Sequence, residues 1–237
     1  FKNNGITFNQ YKLFSANIIN KFWKIKEVSC NKNDDFYFLD KKESNNEQIF
    51  FLATKEEVEV ENDLENELKN LNDFTDTMPD FRANLEISNN KGGFSSYQSE
   101  YPLSMMQKKG SILSPLNTLL SKTADKNYLF FKNIYKKPIK ENFKIYFVDI
   151  NSKEVIDVKN AYTNQTNIYE IELKYLNSNI FIYSDNFLGI PIFVSIKDFH
   201  ISMEHTHPPH LYIWGDDKFK RISILKNKVY EIIQKNN

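Results

Sequence analysis

Cysteine, arginine and glycine are scarce in this sequence, and each shortage excludes a class of site. One cysteine, Cys30, among 237 residues leaves no intramolecular disulfide and no cysteine-rich zinc site. Arg82 and Arg221 are the two arginines, so we expect no arginine cluster that reads guanine bases or grips phosphates. With 6 glycines, the chain contains neither the G-x-G-x-x-G nor the P-loop motif that cradles nucleotide phosphates.

Net charge and long apolar runs are missing as well. Lys+Arg and Asp+Glu both total 31, so no excess of positive charge attracts nucleic acid or an anionic membrane. No segment approaches the roughly 18 consecutive apolar residues of a membrane span. We therefore expect no nucleic-acid partner, no membrane partner and a cytoplasmic location. Since the sequence begins at Phe1 rather than Met, a removed N-terminal leader stays an open alternative, and the glycosylation sequon at Asn164 has meaning only after secretion.

Aromatic residues are abundant, with 20 phenylalanines and 13 tyrosines. They favour β-structure and supply a substantial core. Short apolar runs separated by polar turns recur along the chain, and from 128 to 196 their spacing is roughly ten residues. We predict a mostly β protein, either an antiparallel β-sandwich or a distorted barrel. The length is compatible with one domain over 1–237, with a weak subdivision near 75–93.

Individual strands and helices follow from local patterns. Three aromatic runs at 22–28, 36–39 and 49–53 predict a β-meander, whereas residues 1–22 fit neither the helical nor the strand period. An acidic stretch at 56–67, followed by leucines at helical spacing, predicts a solvated edge strand and a short helix. Ser114-Pro115 has the pattern of a second short helix start. Beyond Asp216, apolar residues at 219, 222, 225, 229 and 232 predict an amphipathic C-terminal helix.

All four histidines of the chain fall between positions 200 and 210. If 196–207 forms one strand, His205 and His207 share a face, about 6–7 Å apart at their backbones, and Glu204 points to the other face. A turn at Pro208-Pro209 would return His210 as a third ligand. Three neutral imidazoles suit one divalent transition metal such as Zn, Fe, Mn, Co or Ni.

Metal binding is one of three interpretations of these histidines. They also suit a loop in which each imidazole hydrogen-bonds to neighbouring backbone or carboxylates. In a third interpretation they line a metal-free binding surface, with Tyr212 and Trp214 as stacking surfaces for a ligand. A polar, aromatic stretch at 94–102, which includes Tyr97 and follows a Gly-Gly turn, is a further candidate for the wall of a binding groove or an ordinary strand with a solvated face.

The sequence thus leaves two functions from different classes. The first is a binding or interaction module that presents an aromatic-rich groove and a His-rich loop to a small molecule, a glycan or a protein. The alternative is a metal-dependent enzyme of the hydrolase or oxygenase type. In that enzyme His205, His207 and His210, with Glu204 close by, would hold the ion that activates water or oxygen.

Overall fold

The computed structural model describes residues 11–32, 37–39, 45–53, 84–98, 101, 103–106, 108–117, 120–177, 179–205 and 217–236. Over these ranges the protein is mostly β, with several antiparallel sheets, as the sequence predicts. The strands are β1 (Lys12–Ile19), β2 (Phe22–Glu27), β3 (Asn31–Lys32), β4 (Tyr37–Phe38), β5 (Ile49–Ala53), β6 (Asn84–Ser88), β7 (Phe94–Gln98), β8 (Leu113–Pro115), β9 (Lys126–Asn133), β10 (Asn142–Asp149), β11 (Glu154–Tyr162), β12 (Gln165–Glu170), β13 (Ile180–Ser184), β14 (Ile190–Lys197) and β15 (His200–His205). The helices are α1 (Leu103–Met106), a 3-10 helix at Leu173–Asn177 and α2 (Lys218–Asn236). No helix among the described residues is long and apolar enough to cross a membrane.

Two four-stranded antiparallel sheets pack face to face around the main core. One has the order β11-β10-β13-β8 and the other β12-β9-β14-β15. Alternate residues of each strand point into the space between the sheets, because successive side chains of a strand face opposite ways. The buried side chains there come from both sheets and include Leu129, Phe131, Phe143, Ile145, Phe147, Ile180, Ile182 and Phe193. This is a sandwich-like arrangement, one of the two that the strand pattern predicts.

Helix α2 covers the outer face of the first sheet, which we call the helix sheet. Val229, Ile232 and Ile233 are buried against Val148 and Phe181. The predicted amphipathic C-terminal helix is therefore confirmed, with one correction. Phe219, placed on the apolar stripe by its spacing, is 68% exposed, because the packing against the sheet begins only at Leu225, further along the helix.

The hairpin β6–β7 covers the outer face of the other sheet, which we call the hairpin sheet. Tyr97 of β7 packs with Ile192, Val194 and Met203 of that sheet. The turn at 89–93 is held by Asn89, whose side-chain oxygen accepts a hydrogen bond from the Lys91 amide (2.8 Å). The Asn89 side-chain nitrogen Nδ2 also donates to the Phe199 carbonyl oxygen (2.6 Å) and fixes the hairpin to the turn between β14 and β15.

Gly93 lies where this hairpin touches the sheet, and Gly93→Ala is expected to destabilise the protein by about 1–3 kcal/mol. A Cβ at this position would overlap the Phe199 carbonyl oxygen, which is backbone and cannot move away as a side chain would. Urea unfolding gives the change in stability, and amide exchange should quicken in β6 and β7 first. Lys91→Ala, an exposed change in the same turn, should stay within about 0.5 kcal/mol of the original protein. A Gly93→Ala protein of unchanged stability would contradict this close packing.

A three-stranded sheet of order β2-β1-β5 forms from the N-terminal part. The predicted meander is therefore wrong in its topology, although β2 and β5 lie at the predicted positions. Strand β1, which had no assignment, is the central strand and pairs with both neighbours. Its residues Leu13, Phe14, Ser15 and Ala16 are all buried, so the apolar and polar residues do not alternate as in a half-exposed strand.

The short helix predicted from Ser114-Pro115 is also wrong. These residues belong to β8, the edge strand of the helix sheet, where Ser114 is the register partner of Ile182 in β13. Proline is tolerated in an edge strand because its missing N–H need not reach a neighbouring strand. Among the described residues, the short helices in the middle of the chain are α1 and the 3-10 helix at Leu173–Asn177. The predicted acidic strand and helix at 56–71 lie outside the described residues.

The sequon residue Asn164 is 1% exposed and holds the lysine-rich loop between β9 and β10. Its side-chain oxygen accepts a hydrogen bond from the Tyr135 amide (2.7 Å). Its side-chain nitrogen donates to the carbonyls of Lys137 (2.9 Å) and Ile139 (3.0 Å). A glycan would be attached to this same nitrogen. In the folded protein the nitrogen instead makes the two hydrogen bonds that hold the loop.

Candidate functional site

The histidine segment begins with strand β15, which contains His200 and His205. The strand predicted over 196–207 is interrupted, because 196–197 belong to β14 and a tight turn separates the two strands. Asp198 takes a left-handed backbone conformation (φ 53°) in this turn, and its amide donates to the Asp125 carboxylate (2.8 Å). Asp198 therefore lies in the turn of a β14–β15 hairpin. The apolar residues before and after it do not indicate that a turn separates them.

Within β15 the predicted alternation is confirmed. Met203 is buried and His205 partly buried on the face that receives the β6–β7 hairpin, whereas His200 and Glu204 are exposed. The structure brings two of the predicted site residues together, since the rings of Tyr97 and His205 lie with centroids 4.4 Å apart, tilted by 51°. Glu204 Oε1 accepts a hydrogen bond from the His205 amide (3.0 Å) and lies 3.4 Å from His205 Nδ1.

Tyr97 is 8% exposed, so its ring serves mainly to pack the hairpin against the sheet. The remaining predicted site residues, His207, His210, Tyr212 and Trp214, lie outside the described residues. In the part of the chain that the structure describes, no three His, Cys, Asp or Glu side chains are grouped to hold a metal ion. The metal site built on His205, His207 and His210 therefore stays a prediction.

A second candidate site lies between helix α2 and the outer face of the helix sheet. It is a groove of about 520 Å³, which we call the tyrosine groove. Its walls come from the segment before β8, from β10, from the turn after β13 and from the last turns of α2. The lining residues are Lys109, Gly110, Ser111, Tyr146, Tyr183, Asp185, Asn186, Tyr230, Ile233 and Gln234.

Strand register places the tyrosines of this groove. Tyr146 of β10 and Tyr183 of β13 are direct cross-strand partners on the same outer face. Both rings are largely buried, at 5% and 7% exposure, and pack in the cluster beneath α2. Tyr230 projects from α2 with its ring centroid 6.4 Å from that of Tyr183 and remains 50% exposed. The groove thus has two fixed rings in its floor and one accessible ring on its wall.

None of the three phenol hydroxyls makes a hydrogen bond to another residue of the described ranges. Tyrosine hydroxyls both donate and accept hydrogen bonds. Tyr146 and Tyr183 keep their rings packed, and both residues line the groove. Neither hydroxyl is a buried atom without a partner, so both are available to solvent or to a ligand.

The polar residues around the tyrosines are oriented by their own contacts. Asp185 Oδ1 accepts a hydrogen bond from the Lys144 amide (2.7 Å), so its carboxylate is fixed at the groove. Lys109 Nζ lies 3.3 Å from Glu141 Oε2 and 4.7 Å from the centroid of the Phe187 ring. Behind the groove, Lys226 donates to the Ser111 carbonyl oxygen, and burial lowers the pKa of this lysine.

No protein-family model matches the chain, and neither a curated protein nor a solved structure does. The groove is therefore interpreted from its own chemistry. Its lining combines aromatic faces with a carboxylate, two amides, an ammonium group and phenols, and the described lining residues include no histidine or cysteine. Such a lining provides oriented hydrogen bonds and stacking, which serve recognition of a ligand.

Sequence reasoning did not single out this groove. Tyr146 and Tyr183 are 37 positions apart (183 minus 146) and meet only through the register of β10 and β13. Tyr230 follows Val229, the buried residue of α2, and so falls beside the apolar stripe. Two features of the sequence could have indicated the groove. Each of two predicted strands has a tyrosine at an outward position, and the C-terminal helix is predicted to pack across one sheet.

Proposed function

We propose that this protein is a binding module whose ligand site is the tyrosine groove. The observation that carries the proposal is the pair of packed tyrosines, Tyr146 and Tyr183, which line a groove together with the half-exposed Tyr230. The sequence hypothesis put an aromatic-rich groove elsewhere, at Tyr97, Tyr212 and Trp214, so the tyrosine groove is a new location for a binding function. Tyr97, which the sequence analysis proposed for the wall of a binding groove, has a ring that is nearly buried.

The scaffold around the groove favours recognition by a preformed surface. Tyr146 and Tyr183 lie on adjacent hydrogen-bonded strands, and Val229, Ile232 and Ile233 hold the helix on the same sheet. Rings fixed in this way lose little conformational entropy when a ligand binds. Ligand sites are commonly concave and combine aromatic or apolar surface with a few placed polar groups. This groove has both kinds of group, with three tyrosines and Ile233 beside the polar side chains.

Tyr230→Ala is expected to weaken ligand binding in the groove by about tenfold or more, because truncation of an exposed aromatic anchor removes most of its contact area. A fragment library screened by ligand-observed NMR supplies the ligands, and titration of the labelled protein gives their affinity. Stability should change by less than about 1 kcal/mol, since the ring is half exposed.

Phe219→Ala is the matched control for this experiment. Phe219 is an aromatic residue of the same helix, is even more exposed than Tyr230 and does not line the groove. Its loss should leave affinity unchanged. The proposal is wrong if no fragment shifts the groove amides, or if the two variants weaken binding equally.

A further inference from the structure

We infer that the ligand of the tyrosine groove is a neutral carbohydrate, an inference that rests on the binding function proposed above. A sugar ring has one face of C–H groups and an edge of hydroxyls, so it is apolar and polar at once. The groove has the complementary division, with Tyr183 and Tyr230 supplying rings and Asp185, Asn186 and Gln234 supplying polar groups.

The aromatic part of the groove suits a flat saturated ring. The Tyr183 and Tyr230 rings are tilted by 44° with centroids 6.4 Å apart, so the two rings form an open angle instead of a closed stack. Half of the Tyr230 surface is exposed. The C–H face of a sugar placed there would cover apolar surface of Tyr230 and leave the sugar hydroxyls directed toward the strands.

The polar part of the groove matches hydroxyl groups, which donate and accept at the same time. The Asp185 carboxylate only accepts, the side-chain amides of Asn186 and Gln234 do both, and the phenols of Tyr146 and Tyr183 do both. A ligand that only accepts hydrogen bonds could not bond to the Asp185 carboxylate, which itself only accepts and already has the Lys144 amide as one donor. A hydroxyl-rich ligand satisfies both kinds of group.

The charges of the groove argue for a neutral ligand. Lys109 is the basic lining residue, and its ammonium group already lies 3.3 Å from the Glu141 carboxylate. Asp185 adds one negative charge at the same wall. Lys226, behind the groove, donates to the Ser111 carbonyl oxygen. An anionic sugar or a phosphate would therefore meet one carboxylate and two lysines that already have acceptors, so neutral hydroxyl chemistry is favoured.

The test titrates the isotope-labelled protein with short oligosaccharides of glucose, galactose, mannose and N-acetylglucosamine. A proline-rich peptide, which also binds grooves of aromatic rings, and a fragment mixture are titrated in parallel. We expect at least one oligosaccharide to shift the amides at 109–111, 185–186 and 233–234. Tyr230→Ala should weaken that binding about tenfold or more, whereas Phe219→Ala should leave it unchanged.

Conservative variants examine the hydrogen bonds separately from folding. Tyr146→Phe and Tyr183→Phe keep the packed rings and remove only the hydroxyls, so each should weaken sugar binding by about five- to tenfold. Each should leave the unfolding midpoint nearly unchanged, because neither hydroxyl bonds to a described residue. Unchanged sugar affinity in both variants would overturn the hydrogen-bonding part of the inference.

The other outcomes separate the two proposals. If the peptide or a fragment shifts the groove amides and every sugar fails, the carbohydrate inference is wrong and the binding function stands. If no probe shifts those amides, both are wrong. Sugars that instead shift the amides around Tyr97 and His205 would move the carbohydrate site to the other side of the sandwich and overturn the assignment to this groove.

Discussion

Asn164→Ala is expected to cost roughly 3–5 kcal/mol of stability, because it removes the partners of three backbone groups at once. The Asn164 side chain accepts from the Tyr135 amide and donates to the Lys137 and Ile139 carbonyls, all in a buried setting. Asn164 also has a left-handed backbone conformation (φ 59°), which alanine adopts at a cost of about 1–2 kcal/mol. Equilibrium unfolding in urea, followed by far-UV circular dichroism, measures the loss.

Two variants separate the backbone cost from the hydrogen bonds. Asn20 has a similar left-handed conformation (φ 52°) but is exposed in the turn between β1 and β2, so Asn20→Ala should cost only about 1–2 kcal/mol. Asn164→Gly removes the side chain and tolerates the backbone conformation, so it should retain most of the loss seen for Asn164→Ala. If Asn164→Gly were as stable as the original protein, the side-chain hydrogen bonds would contribute nothing.

In the Asn164→Asp variant, stability should depend on pH, and the direction of this dependence follows from the surroundings of the side chain. The new carboxylate would keep one donor, the Tyr135 amide, but would face the Lys137 and Ile139 carbonyls in a buried setting. Burial and the repulsion from two carbonyls outweigh that one hydrogen bond, so we expect the pKa to rise above that in the unfolded chain. When the pKa of an acid is higher in the folded than in the unfolded chain, the protein is most stable below the pKa of the unfolded chain. This stability is lost as the pH rises through the pKa of the folded chain. The variant should therefore unfold more easily at neutral than at acid pH, and Asn164→Ala should lack this added dependence.

Local sequence patterns predicted the parts of the fold in which one face of a strand or helix is buried. Strand β5 occupies the predicted Ile49–Ala53, and α2 has the predicted apolar stripe over its C-terminal half. Strand β1 was missed because its buried residues run consecutively, and Ser114-Pro115 was misassigned because proline also fits an edge strand. Both β1 and Ser114-Pro115 form strands because they pair with segments that are distant in the sequence. The periodicity within one segment contains no information about such pairing.

The candidate site was less predictable than the fold for the same reason. The histidine pattern lies in consecutive residues, so it was visible at once, and its two faces within β15 are confirmed. The tyrosine groove depends on the register of Tyr146 with Tyr183 and on the position of Tyr230 over that pair. Neither the register nor the docking angle of α2 follows from any local stretch, so a site formed by three separate elements required the structure.

Trp23→Ala is expected to cost about 3–5 kcal/mol, the usual range for removing a large buried aromatic side chain. Trp23 is fully buried in the core of the N-terminal sheet, beside Phe14 and Ile25, and that core also includes Ile134 from the loop after β9. The indole nitrogen donates to the Lys136 carbonyl oxygen (2.9 Å), so the side chain joins the N-terminal sheet to the same loop that Asn164 holds.

This position makes Trp23 a test of whether the sheets unfold together. Trp23→Phe keeps most of the ring volume but leaves the Lys136 carbonyl without the indole donor, so we expect a smaller loss of about 1–3 kcal/mol. Phe22→Ala, at a partly exposed neighbouring position of β2, should cost less than about 1 kcal/mol. Amide exchange of β1 and of β9 should accelerate together in Trp23→Ala if the loop couples them. Faster exchange in β1 alone would instead show that the N-terminal sheet unfolds as a separate unit and would contradict a single domain over the whole chain.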